Sequence, residues 1–366
     1  MNAPNASNPS LLRKYARPLI ASIAIIAGFA LVMRAGALPV LPPEGTLARM
    51  LWWPAAWFIV AMYTSMLAKY ARVYLLVAPV AHIPMRKIIN IGCIAMALIT
   101  LLPLRLGEAA RPAMLREKGK VSGWALASQV AAERIIDGVA FGLLLLAGLA
   151  LAPPHDPVPD HIGGLPVPAA LVPRAAVTAT AVFGVALVVM VLFYWRRAQA
   201  HALTARILGI VSPKLAEKVA GIIERMSDGL QFLPNLKYSG PYLAVTLVSV
   251  LANVWAVRLL AVAVGIPSLG MAESSVVLGV LAIGFALPNA PGFFGAVQLC
   301  LYAGLALYIA PEMISREGAA FVFLYYAVYL GVVFSLAIIA LLLEYAMPEA
   351  ASAESSSRGQ GGSVIQ

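Results

Sequence analysis

Ionisable side chains are scarce in this chain, and two short groups of them sit inside otherwise apolar sequence. Arg105, Glu108 and Arg111 recur at intervals of three within Leu-Leu-Pro-Leu-Arg-Leu-Gly-Glu-Ala-Ala-Arg, residues 101–111. Glu133, Arg134 and Asp137 follow in Ala-Glu-Arg-Ile-Ile-Asp-Gly, residues 132–138. On a helix, spacings of three and four bring side chains onto one face, which pairs Glu133 with Asp137 and Arg134 with Asp137. An ionised group inside a membrane segment is costly unless it is paired or wetted, so it is a functional-site candidate by default. Two chemistries fit. Arg111, Arg134 and Arg105 are planar bidentate donors suited to phosphate, with Glu108, Glu133 and Asp137 orienting them. Alternatively the six form an ion-pair brace between helices; the two readings are compatible.

The first charged group follows a break in the apolar sequence, and the break has a twin. Leu102-Pro103 through Gly107 and Leu287-Pro288 through Gly292 both read LP-x-x-x-G after a long apolar run. Proline removes a backbone donor and glycine loosens the helix, so both segments should interrupt at Pro103 and Gly107, and at Pro288, Pro291, Gly292 and Gly295. Broken hydrophobic segments at corresponding places in two halves point to a transporter's binding site. A helix end exposed at such a break offers N–H groups and a positive dipole to an anion. The second break is uncharged and offers Asn289 and bare carbonyls as further substrate contacts.

The elements that must hold these residues are membrane helices. The chain of 366 residues is 61% hydrophobic and 11% charged, where a soluble domain carries about a quarter charged residues. Its net charge of +10 does not indicate nucleic acid. Arg13, Lys14, Arg17, Lys69, Arg72, Arg86, Lys87 and the basic residues of 196–240 would lie on one side of the membrane, against Arg34, Arg49, Arg174 and Arg316 on the other. That asymmetry is the positive-inside rule, and it places both termini in the cytoplasm. Cys93 and Cys300 read as small core residues. The four histidines have no ligand spacing, so neither a metal nor a cofactor is expected.

Spans are expected at 18–35, 50–68, 122–152, 174–195, 241–265 and 319–345, with re-entrant hairpins at 86–118 and 274–309. The fold class is all-α and polytopic: about six spans plus two hairpins, or about eight membrane helical segments. Residues 1–12 and 346–366 read as disordered tails around a single membrane domain, 13–345. Stretch 73–83 is too short to cross and should continue a helix or lie at the surface. In 196–240, Ser212-Pro213 resembles a helix start. Leu215, Val219, Ile222, Ile223, Met226, Leu230 and Leu233 then recur at helical spacing, as in an amphipathic interfacial linker. Arg72, Ile83-Pro84 and Leu102-Pro103 run in the same order as Arg258, Ile266-Pro267 and Leu287-Pro288. This suggests an inverted repeat, 13–152 and 173–345. Arg258 is expected to snorkel to the outer surface rather than touch substrate.

Residues 101–111, Glu-Arg-Ile-Ile-Asp (133–137) and Leu-Pro-Asn-Ala-Pro-Gly-Phe-Phe-Gly (287–295) resemble, in order, three motifs of the lysylphosphatidylglycerol synthase transmembrane-region family. The resemblance covers about residues 15–345 and implies a flippase-like domain in a bacterial inner membrane. The family's namesakes carry a soluble aminoacyl-transferase domain after the membrane part, for which this sequence has no room. Stand-alone relatives include proteins linked with hopanoid transport.

Three functions remain open at this point. The first is a flippase or transporter of an anionic or isoprenoid lipid, not an enzyme, whose partner is the membrane lipid. The second is a membrane-embedded transferase with Glu108, Glu133 or Asp137 as general base. The third is an ion-coupled transporter of a small anionic solute. Oligomeric state is not legible.

Overall fold

The computed structural model describes residues 27–28, 31, 39, 41–102, 107–119, 121–155, 161–162, 165–166, 171–199, 213–286 and 290–346. Its helices are α1 (Trp52–Ala71), α2 (Val73–Val77), α3 (Met85–Leu101), α4 (Ala110–Gly119), α5 (Gly123–Leu151), α6 (Leu171–Trp195), α7 (Pro213–Gly229), α8 (Leu236–Ala263), α9 (Met271–Ala286), α10 (Ala296–Ala306) and α11 (Ala319–Ala346). The exception is a short antiparallel ladder pairing His161 with Pro166 and Ile162 with Leu165. Helices α5, α6, α8 and the continuous stretch Pro311–Ala346 are long and apolar enough to cross a membrane. Helix α1, at 20 residues, matches the length a bilayer core requires. This is an all-α polytopic membrane protein. Most of the expected span at 18–35, the first tail, and the second tail from 347 onward lie outside the described residues.

The helix surfaces follow from composition. Helix α6 is apolar all round yet buries only Ala176 and Met190 within the protein, which leaves its remaining surface for lipid. Trp52, Trp53 and Trp57 of α1 are exposed, as interfacial anchors are. The deepest packing gathers Phe58, Leu260, Leu301, Phe321, Tyr325 and Tyr329 into one core.

Helices α1 and α8 run antiparallel in contact along their length. Leu51 N–H donates to Ala263 O at 2.9 Å at one end. Asn253 Nδ2 donates to Ser65 Oγ at 2.6 Å midway, and Arg72 Nη1 donates to Thr246 Oγ1 at 2.6 Å at the other end. Around this pair the packing is reciprocal. Helix α3 lies on α11, where Asn90 Nδ2 donates to Glu344 Oε1 at 2.7 Å. Helix α9 lies on α5, where Gly279 lets Leu145 approach.

Both broken segments turn back on themselves. Gly107 is buried, and a Cβ there would collide with the backbone of Leu98 and Ile99, so α4 returns hard against α3. The second turn has Gly292 at φ 73°, Phe293 at φ 56° and Gly295 at φ 85°. These left-handed values suit glycine and strain Phe293. Gln298 Oε1 accepts from Gly295 N–H at 2.7 Å and caps α10.

Of the two courses expected for stretch 73–83, the structure takes the first: α2 continues from α1, and Val73, Leu76 and Val77 are buried. Helix α7 is not simply interfacial. It packs along α5, with Ala220, Ser227 and Leu230 buried and Gly229 against Ala125 and Ser128. The apolar side of its C-terminal end is thus covered by protein. Ser212, its expected cap, lies outside the described residues.

Candidate functional site

Helix α5 carries Glu133 and Asp137 one turn apart, so both face the Arg72–Thr246 end of the α1–α8 pair. Arg72 occupies the joint between α1 and α2 and is only 3% exposed. Its Nη2 donates to Asp137 Oδ1 and Oδ2, both at 2.7 Å. Its Nη1 donates to Thr246 Oγ1, which in turn donates to Tyr242 O at 2.8 Å. The guanidinium carbon stands 5.0 Å from the centroid of the Tyr242 ring, within cation–π range.

Glu133 sits between two arginines. Its Oε1 is 3.6 Å from Arg72 Nη2, and its Oε2 pairs closely with Arg111 Nη2 of α4. A buried chain of alternating charge, Asp137–Arg72–Glu133–Arg111, therefore ties α5, the α1–α2 joint, α8 and α4 together. Alternation is what makes the arrangement tolerable, because an isolated charge at this depth would carry its full desolvation cost.

Arg134, one residue on from Glu133, turns about 100° around the helix and leaves the buried face. Its side chain is 43% exposed and its Nη2 lies 3.2 Å from Glu108 Oε1, itself 34% exposed. Glu108 stands in the turn before α4. Glu108 and Arg111, three apart, both reach α5, but at different pairs, one open and one closed. The expected pairing of Arg134 with Asp137 gives way to Glu108, since Arg72 takes both Asp137 oxygens. Arg105, Pro103, Pro288 and Asn289 lie outside the described residues.

The described part of the second break does not carry charge. Pro291–Phe293 packs against α3, Phe293 meets Phe285 and Tyr329 ring to ring, and Phe294 meets Tyr326. Among the described residues, no three His, Cys, Asp or Glu side chains cluster as metal ligands. Arg258 is half-buried, and its Nη1 is buried without a hydrogen-bond partner among the described residues.

Arg72, Thr246 and Tyr242 are the members that sequence reasoning missed. Arg72 reads as a flanking charge because it follows Lys69 at the end of an apolar run. The available signal is that Val73–Val77 continues apolar and helical beyond it, which a true flank would not. The family described as lysylphosphatidylglycerol synthase TM region matches residues 19–337. The chain belongs to that family. Both charged motifs of the resemblance, 101–111 and 133–137, fall within the match, and the family's membrane region supplies every helix of the cluster. No curated protein and no solved structure matches the chain.

Proposed function

We propose that this protein moves a polar-headed lipid between leaflets, and that the half-open Glu108–Arg134 pair is where the headgroup engages. The observation that carries this reading is the division of the charged cluster. Asp137, Arg72, Glu133 and Arg111 are closed and mutually neutralised, whereas Glu108 and Arg134 are partly open and meet at 3.2 Å. A phosphate can replace the Glu108 carboxylate on Arg134 with bidentate geometry, releasing Glu108 to accept from headgroup hydroxyl or ammonium groups. The buried network fixes α5 and α4 so that the pair is presented at a set position. The acyl or isoprenoid tails stay in the bilayer meanwhile.

Membership in a family named for a lipid-modifying enzyme's membrane region supports a lipid as cargo. The reciprocal packing of α3 on α11 and α9 on α5 supports an inverted repeat with one hairpin per half. In this reading the protein is not itself an enzyme, works in a bacterial inner membrane with both termini cytoplasmic, and takes an anionic or isoprenoid lipid, hopanoids among the latter. The test is a leaflet-accessibility assay in proteoliposomes with fluorescent phosphatidylglycerol and an isoprenoid phosphate. Arg134→Ala and Glu108→Ala should insert and fold normally yet stop translocation of the transported lipid. Wild-type translocation of neither lipid, or undiminished transport by both variants, overturns the reading.

A further inference from the structure

Away from the central network, a cleft of ≈ 520 Å³ opens where the N-terminus of α5 meets α4 and α7, lined by Arg116, Ser122, Gly123, Trp124, Ala127 and Arg225. That volume is in the range of small-molecule sites. Its two arginines come from different helices, and neither makes a hydrogen bond or ion pair among the described residues. Among the described residues, no carboxylate lines the cleft. Two exposed guanidinium groups lining one cavity offer it positive charge, and neither is engaged as Arg72, Arg111 and Arg134 are.

The floor of the cleft adds donors. Ser122 Oγ accepts from Ala125 N–H at 3.4 Å, so the N–H groups of Gly123 and Trp124 have no intrahelical acceptor. Arg116 Nη1 stands 4.0 Å from the position a Cβ on Gly123 would take, over that first turn. Trp124 is 47% exposed at the rim. An indole at the end of a membrane-length helix sits at headgroup depth, its ring toward the acyl region and its N–H toward water.

We propose that this cleft binds the phosphate of an anionic phospholipid at the membrane surface, with Arg116 and Arg225 as the phosphate donors and Trp124 beside the upper acyl chains. The inference rests on the membrane reading of α5 but not on transport. A free phosphate would satisfy the same arginines, and the adjoining bilayer and the exposed indole favour the lipid form.

The test uses the full chain in nanodiscs of phosphatidylcholine containing either brominated phosphatidylglycerol or brominated phosphatidylcholine, read by tryptophan fluorescence with Trp124→Phe as the background. Brominated phosphatidylglycerol should quench Trp124 more than brominated phosphatidylcholine. The excess should vanish in Arg116→Gln/Arg225→Gln and persist in Arg116→Lys/Arg225→Lys, both with an unchanged Tm. It should also persist in Arg134→Ala, which separates this site from the translocation pair. Equal quenching by the two lipids, or an excess that survives the glutamine variant, overturns the proposal. So does inorganic phosphate shifting Trp124 emission in neutral nanodiscs while brominated phosphatidylglycerol gives no excess, since the cleft would then take a soluble anion.

Discussion

Arg72 and Asp137, 65 positions apart in sequence, meet in a bidentate ion pair with both N–O separations at 2.7 Å. The pair joins the end of α1 to the middle of α5, and Thr246 of α8 shares the same guanidinium. Removing one partner leaves the other charge buried and unpaired, which typically costs about 3–5 kcal/mol. Asp137→Asn and Arg72→Met should each destabilise the detergent-purified protein by that order. The double variant should lose less than the sum, because the stranded charge is gone. Chemical denaturation of the four members of the cycle checks this, and strictly additive losses would show that the pair does not bind the helices together.

The open pair behaves differently. Arg134 and Glu108 are partly exposed, and such pairs contribute about 0–1 kcal/mol. Arg134→Ala should therefore leave Tm almost unchanged while headgroup translocation falls away. The charge exchange Glu108→Arg with Arg134→Glu should restore the ion pair but not transport, because the guanidinium then projects from the turn rather than from α5. A thermal-shift series beside the proteoliposome assay separates the two effects.

Gly292 holds φ 73°, and a Cβ there would come 2.9 Å from the Tyr326 hydroxyl. Gly292→Ala should destabilise the second hairpin by about 1 kcal/mol or more. Adding Tyr326→Phe should recover the steric part but not the backbone part. The measured stability of the single and double variants gives both contributions directly.

Gly279 permits α9 to close on α5, since a Cβ there would lie 2.6 Å from Leu145 Cβ. Gly279→Val should push the helices apart and cost about 1–3 kcal/mol as overpacking, whereas Gly279→Val with Leu145→Gly, which removes the Cβ it meets, should recover part of it. Folded yield from size-exclusion chromatography and the thermal midpoint report the rescue.

How far the site was legible can be judged residue by residue. Glu133 and Asp137 stand out because carboxylates inside an apolar run have no bland surface role there, and their four-residue spacing places both on one face of α5. Glu108 and Arg111 stand out for the same reason beside Pro103 and Gly107. The hairpin turns were visible in proline and glycine, whose backbone limits are local. Partner choice was not visible. Local spacing favours Arg134 with Asp137, yet Arg72 approaches from another helix and occupies both Asp137 oxygens, which leaves Arg134 to Glu108.

The amino-acid sequence by itself determined the membrane class, the placement of most helices, the two interrupted segments and five of the six paired charges. Each follows from hydrophobicity, helical period or backbone chemistry within a short window. Only the tertiary structure decided that Arg72 is a member of the cluster rather than a flank, that Glu133 bridges two arginines, and that Glu108–Arg134 is the open end. Those facts depend on the crossing of α1, α4, α5 and α8. Burial and ion pairing are set by neighbours distant in sequence, and no local pattern along the chain encodes which of them arrives first.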